Sequence, residues 1–192
     1  MAFVADDLSA WLVAVLADGV RRKIITLVLG DEFDRALGAA AKTAIELTAA
    51  DLCPGDAGQA EQVAAVIDQV FRTPVTDGLP ARYPTMLNAI EAGITSQLRV
   101  LDDASLTGTG VSSADVLGIS TAVIADKLNG YLLEQIILGA TRGGALQPLA
   151  AQLNHDRTHL QVQATYDALL HIRGEILEAL APVVVASRAA QP

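Results

Sequence analysis

Residues 152–161, QLNHDRTHLQ, hold two of the chain's three histidines one helical turn apart, with an aspartate between them. His155-Asp156-Arg157-Thr158-His159 reads H-D-x-x-H, one methylene short of the H-E-x-x-H metalloprotease signature. On a helix, histidines at i and i+4 point the same way and can share a metal, and the acid can activate a bound water. Three features weigh against that chemistry. Aspartate is shorter than the usual glutamate and would stand farther from the water. A catalytic zinc needs a third protein ligand, and the sequence offers no clear one. His171 lies about 18 Å further along the same helix at 1.5 Å per residue, too far to join the same ion.

The preferred reading is therefore a polar network. Asn154, His155, Asp156, Arg157 and His159 would lock helix packing, or present a polar contact to an adjoining domain. Stranding one buried polar group costs about 1–3 kcal/mol, so such a cluster has to find partners. His155 and His159 remain the metal-ligand alternative, with Asp156 as base in a metal-dependent hydrolase. No cofactor is expected.

Other chemistry is fainter. The loop TGTGVSS, 107–113, could bind an anion at a helix N-terminus, but it lacks the G-x-x-x-x-G-K-[ST] pattern and follows no strand. Gly139-Ala140-Thr141-Arg142-Gly143-Gly144 reads as a helix stop before it reads as a phosphate cradle. Cys53 precedes Pro54 in a turn with no histidine near it in sequence, which describes a buried or incidental thiol. No E-x-x-H pair exists, which disfavours a di-iron carboxylate bundle. Trp11 reads as a core anchor or an interface residue.

These residues ride on helices. Apolar spacing is helical throughout, with no convincing strand alternation. A first helix, about 7–29, carries Leu8, Leu12, Val15, Leu16, Ile24 and Leu27. The second, about 32–50, sets Phe33, Leu37, Ala40, Ala44 and Leu47 on a narrow seam of small residues that favours close approach. Pro54 and Gly55 end it, and Asp56 caps a third helix with Val63, Val66, Ile67, Val70 and Phe71 as its buried stripe. After a connection at 72–82, with Pro84 in a first turn, Tyr83, Leu87, Ile90, Ile94, Leu98 and Leu101 mark a fourth.

Residues 102–113 form a loop, and Ser112 or Ser113 caps a fifth helix running to about Thr141. A sixth extends from about Leu146 to Leu180. On it Val162, Tyr166, Leu169, Ile172, Ile176 and Leu180 share an inward face with His155 and His159, which puts the polar cluster beside or inside the apolar stripe and not on the solvent side. Leu149, Leu153, Asp156 and Leu160 lie roughly 100° round. Pro182 ends that helix. The expectation is an all-α bundle of about six helices, one domain over 1–181, with a tail or linker at 182–192.

Composition narrows the function classes. Of 192 residues, 52% are hydrophobic and only 4% aromatic, which suits aliphatic helix-on-helix packing. Thirteen Lys and Arg against 22 acids give a net charge of −9, the opposite of what phosphate neutralisation requires, so nucleic acid is an unlikely partner. Mean hydropathy is +0.39, yet the longest aliphatic run is IITLVL at 24–29, flanked by Arg21–Lys23. A spanning helix needs about 20 apolar residues, so no membrane span is expected. The single cysteine and the acidic N-terminus fit a cytoplasmic protein.

Three stretches, FDRALGAAAKTAIELTAADLCPGDAGQAEQVAAVIDQVF, TGTGVSSADVLGISTAVIADKLNGYLLEQI and RGGALQPLAAQLNHDRTHLQ, resemble the N-terminal helical modules that precede NACHT-type NTPase domains in actinobacterial STAND signalling proteins. The resemblance implies an all-α module that senses, relays or oligomerises beside a switchable NTPase. It implies no catalytic residues. With no Walker motif in the chain, any ATPase would lie beyond Pro192 or on another polypeptide. The expected partner is protein: an adjoining NTPase domain or another copy of the chain. A free-standing, self-assembling helical scaffold is the third reading.

Overall fold

The computed structural model describes residues 6–20, 31–72, 83, 85–102, 119–141 and 144–189, and among these it is all-α with no strand. Six α-helices follow one another: α1 (Asp6–Val20), α2 (Asp31–Leu52), α3 (Ala57–Val70), α4 (Met86–Leu98), α5 (Thr121–Ala140) and α6 (Gln147–Ala189). A 3₁₀ turn, Arg99–Asp102, extends α4. The basic cluster at 21–23, the run at 24–29, the connection at 73–82, Pro84, and the loop at 103–113 with TGTGVSS lie outside the described residues. So do Arg142 and Gly143.

Two compact units divide the chain, Met1–Leu153 and Asn154–Pro192. The division falls inside α6. The first unit is a bundle in which α2 packs against α1, α3 and α5, and α4 against α1 and α5.

The seam of α2 explains its central place. Phe33, Leu37, Ala40, Ala41, Ala44, Ile45, Thr48 and Ala49 are buried, and the alanines let neighbouring helices approach closely. Leu47, expected on that seam, is 37% exposed. Thr48 takes the next inward position, four residues after Ala44, and its hydroxyl is satisfied by the Ala44 carbonyl at 2.7 Å. Three acids in the first turn, Asp31, Glu32 and Asp34, complement the positive end of the helix dipole.

Capping fixes the ends. Pro54 and Gly55, the latter at φ 87°, turn the chain after α2. Asp56 Oδ1 accepts from the Gln59 N–H at 2.9 Å, as the sequence predicts for α3. Thr85 caps α4 through the Asn88 N–H at 3.1 Å. The cap of α5 is Ser120: its Oγ accepts from Ala122, and the helix begins at Thr121, while Ser112 and Ser113 lie outside the described residues.

The core of the first unit is pinned where α1 meets α3. Trp11 and Phe71 meet edge to face, ring centroids 5.3 Å apart at 60°. Asp68, buried, accepts from the Leu8 N–H at 3.1 Å, which satisfies a donor in the first turn of α1 that no helical carbonyl can reach. Arg72 Nε pairs with Asp7 Oδ2 at 3.1 Å. From α4, the buried Gln97 donates to the Val70 carbonyl at 2.7 Å, meeting an orphan acceptor at the end of α3.

The α5–α6 turn depends on a missing side chain. A Cβ on Gly144 would collide with the Gly139 carbonyl, and Leu146 lies across Gly139 itself. The Gln147 N–H then bonds to the Gly144 carbonyl at 3.0 Å and α6 begins. Pro182 does not end α6, which runs on to Ala189. An internal proline removes one hydrogen bond and bends the helix locally, and here good helix formers (Ala, Leu, Glu) precede it.

Candidate functional site: the outer face of α6

Along α6 the inward and outward faces exchange character. Leu146, Leu149, Ala150, Leu153 and Asp156 are buried and Leu160 is half-buried. Beyond Leu160 that same face continues as Gln163, Ala164, Asp167, His171 and Gly174. The apolar residues move to the other side, about 150° round at 100° per residue. There Val162 is 64% exposed, Tyr166 60%, Leu169 59% and Ile176 53%, with Leu170 and Ile172 exposed beside them. The expectation that this stripe belongs to the core is corrected: every described residue from Gln161 to Ile176 is exposed.

Polar atoms on the outer face are largely spent within the helix. Thr158 Oγ1 donates to the Asn154 carbonyl at 2.9 Å, and Thr165 Oγ1 to the Gln161 carbonyl at 2.8 Å. Their hydroxyls satisfied, the two threonines add methyl surface to the stripe. Thr158, Gln161, Val162, Thr165, Tyr166 and Leu169 line a shallow depression along it. On the opposite side His171 Nε2 lies 3.4 Å from Glu175 Oε1, an exposed pair one turn apart.

The H-D-x-x-H residues separate across this helix. Asn154, His155, Arg157, Thr158 and His159 are exposed, whereas Asp156 is 4% exposed. The two imidazoles lie on the exposed face, and Asp156 shares the buried side of the helix with the leucines. For the metal-ligand alternative, His155 and His159 stand one turn apart on the exposed side of the helix and Asp156 is buried. Among the described residues no group of three or more His, Cys, Asp and Glu side chains is placed to hold a metal ion. Cys53 is a free, buried thiol. Trp11 is a core anchor, 2% exposed.

One cluster escaped the sequence reading. Asp51, at the end of α2, accepts at Oδ2 from Lys127 Nζ and, at 3.1 Å, from Tyr131 Oη, both on α5. The three residues are scattered over 80 positions, so no local pattern announces them. The Lys127 hydrogen bond, then that from Tyr131, holds the Asp51 carboxyl below the usual carboxylate range, and the Asp51 bond raises Lys127 above the usual ammonium range. The triad is a solvent-screened staple between α2 and α5. A depressed carboxylate stabilises the fold fully above the unfolded-state pKa, about 3.9, and loses that contribution as pH falls through the folded value. The stability difference between wild type and Asp51→Asn should thus be constant from neutral pH to about 4.5 and close below that. Urea titrations at a series of pH values check it, and a gap that persists to the lowest pH contradicts it.

No helix among the described residues is long and apolar enough to cross a membrane. No family model, curated protein or solved structure matches the chain.

Proposed function

We propose that the protein is a non-enzymatic helical interaction module whose contact surface is the outer face of α6. One observation carries the reading: a row of large apolar side chains, Val162 to Ile176, stands half or more exposed on a single helix. Contiguous apolar surface of that kind marks protein contact. A helix of 43 residues, Gln147–Ala189, also draws most of its stability from covering an apolar face, not from propensity. His155 and His159 continue the stripe as polar contacts, and Arg157 lies exposed on the other side of the helix.

The setting we propose is the one the sequence resemblance implies, a regulatory module beside a switchable NTPase in the cytoplasm. The partner at this surface is protein. Net charge of −9 argues against nucleic acid.

Replacing Tyr166, Leu169 and Ile176 together by serine tests the reading. The variant should keep the Trp11 emission maximum and the hydrogen-exchange protection of helices α2, α3, α4 and α5, because none of the three belongs to the core. Loss of either would return the stripe to the core and remove the proposed surface. Elemental analysis of the purified chain tests the non-enzymatic half. A stoichiometric, tightly held zinc would overturn it.

A further inference from the structure

We infer that the occupant of the α6 face is the same face of a second copy of this chain. The inference rests on the reading of that face as a contact surface, and three observations extend it to self-pairing.

The first is period. His155, His159, Val162, Tyr166, Leu169, Arg173 and Ile176 follow one another at spacings of 4, 3, 4, 3, 4 and 3. A mean repeat of 3.5 is the seam of helices that run alongside one another and interlock knobs into holes; a helix lying on a globular domain needs no such regularity. Leu170 and Ile172 flank the seam and widen it. His155, His159 and Arg173 are the polar members. Polar residues at seam positions weaken packing but restrict it to one register, which suits pairing of like with like.

Area is the second. Val162, Tyr166, Leu169, Leu170, Ile172 and Ile176 together expose roughly 600 Å² by their fractional exposure, most of the ~800 Å² per partner that a stable interface buries. The methyls of Thr158 and Thr165 and the stem of Arg173 supply further area. A contact along this seam alone thus reaches the size of a specific dimer.

Charge is the third. The whole chain carries −9, so two copies repel wherever they meet through ordinary surface. Residues 154–176 hold Asp156, Asp167 and Glu175 against Arg157 and Arg173, nearly neutral. This stretch is where one copy accepts another with little electrostatic cost, and the residual like-charge repulsion means that added salt tightens the pair.

Sedimentation of the full chain at about 100 µM, where a micromolar contact is saturated, should return twice 20.0 kDa, at low and at high salt. Leu169→Glu combined with Ile176→Glu should weaken association at least about a hundredfold and return the single-chain mass, since it buries uncompensated charge in the seam. Both positions are exposed in the single chain, so the variant keeps its fold, and Tyr166→Ser provides a milder substitution in the same direction. A single-chain mass for the wild type overturns self-pairing while leaving the face free for a different protein. A double mass that the Glu substitutions do not change places the dimer elsewhere and overturns both the pairing and the contact surface.

Discussion

Phe71→Ala is expected to cost about 3–5 kcal/mol, the range for removing a buried phenylalanine. For a chain of this size that corresponds to a fall of roughly 6–20 °C in the unfolding midpoint. Phe71 is 2% exposed and closes the end of α3, and its ring supplies the surface against which Trp11 packs edge to face. The loss would not stay local, because neighbouring bonds serve the same junction: Asp68 to the Leu8 N–H, Arg72 to Asp7, and Gln97 to the Val70 carbonyl. Trp11 is the chain's single tryptophan, so its emission reports on this junction without labels. A red shift at temperatures where the wild type is folded is the expected signature. A cost below about 1 kcal/mol would contradict the assignment of Phe71 and Trp11 to the core.

The second large effect is a contrast within α6. Leu149→Ala should cost about 2–5 kcal/mol, since Leu149 is fully buried and its removal leaves a cavity. Leu169→Ala, on the same helix with the same atoms removed, should change the stability of the bundle by no more than about 0.5 kcal/mol at a protein concentration low enough to hold chains apart. Chemical denaturation followed through Trp11 gives both numbers. Equal costs would mean that the two leucines share one environment, and the division of α6 into an inward and an outward stretch would fail.

The bundle was legible because its signals are local. Asp56 ahead of Ala57, the Pro54-Gly55 break, and the 4-3-4 spacing from Phe33 to Ala44 each state a helix boundary or a face within a few residues. Leu87, Ile90, Ile94, Leu98 and Leu101 did the same for α4, and all five are buried. The start of α5 at Thr121 and the passage of α6 through Pro182 were less legible, since one lost hydrogen bond does not end a helix.

The face of α6 was the larger error, and its cause is specific. Periodicity gives the phase of an apolar stripe but not the side on which water lies. Two stripes of opposite phase share this helix, Leu146 to Leu160 and Val162 to Ile176. Phase alone does not say that the second of them faces water. The change of phase after Leu160 was itself visible in the sequence, where Gln163, Asp167 and His171 replace leucines on the earlier face. On the proposed function, a helix whose inward side turns polar while its outward side turns apolar changes partners along its length. The Asp51–Lys127–Tyr131 staple shows the opposite case, a contact between α2 and α5 that only the fold brings together.

That change of partner is the centre of the account. The direct test is hydrogen exchange along α6 at two protein concentrations. Amides from Thr158 to Ile176 should be protected where chains associate and exchange rapidly on dilution, while helices α2, α3, α4 and α5 keep the same protection at both. Protection of Thr158 to Ile176 that does not change with concentration, in the chain alone, would mean that the stripe is already covered within one copy, and it would contradict the proposal that this face serves a second protein.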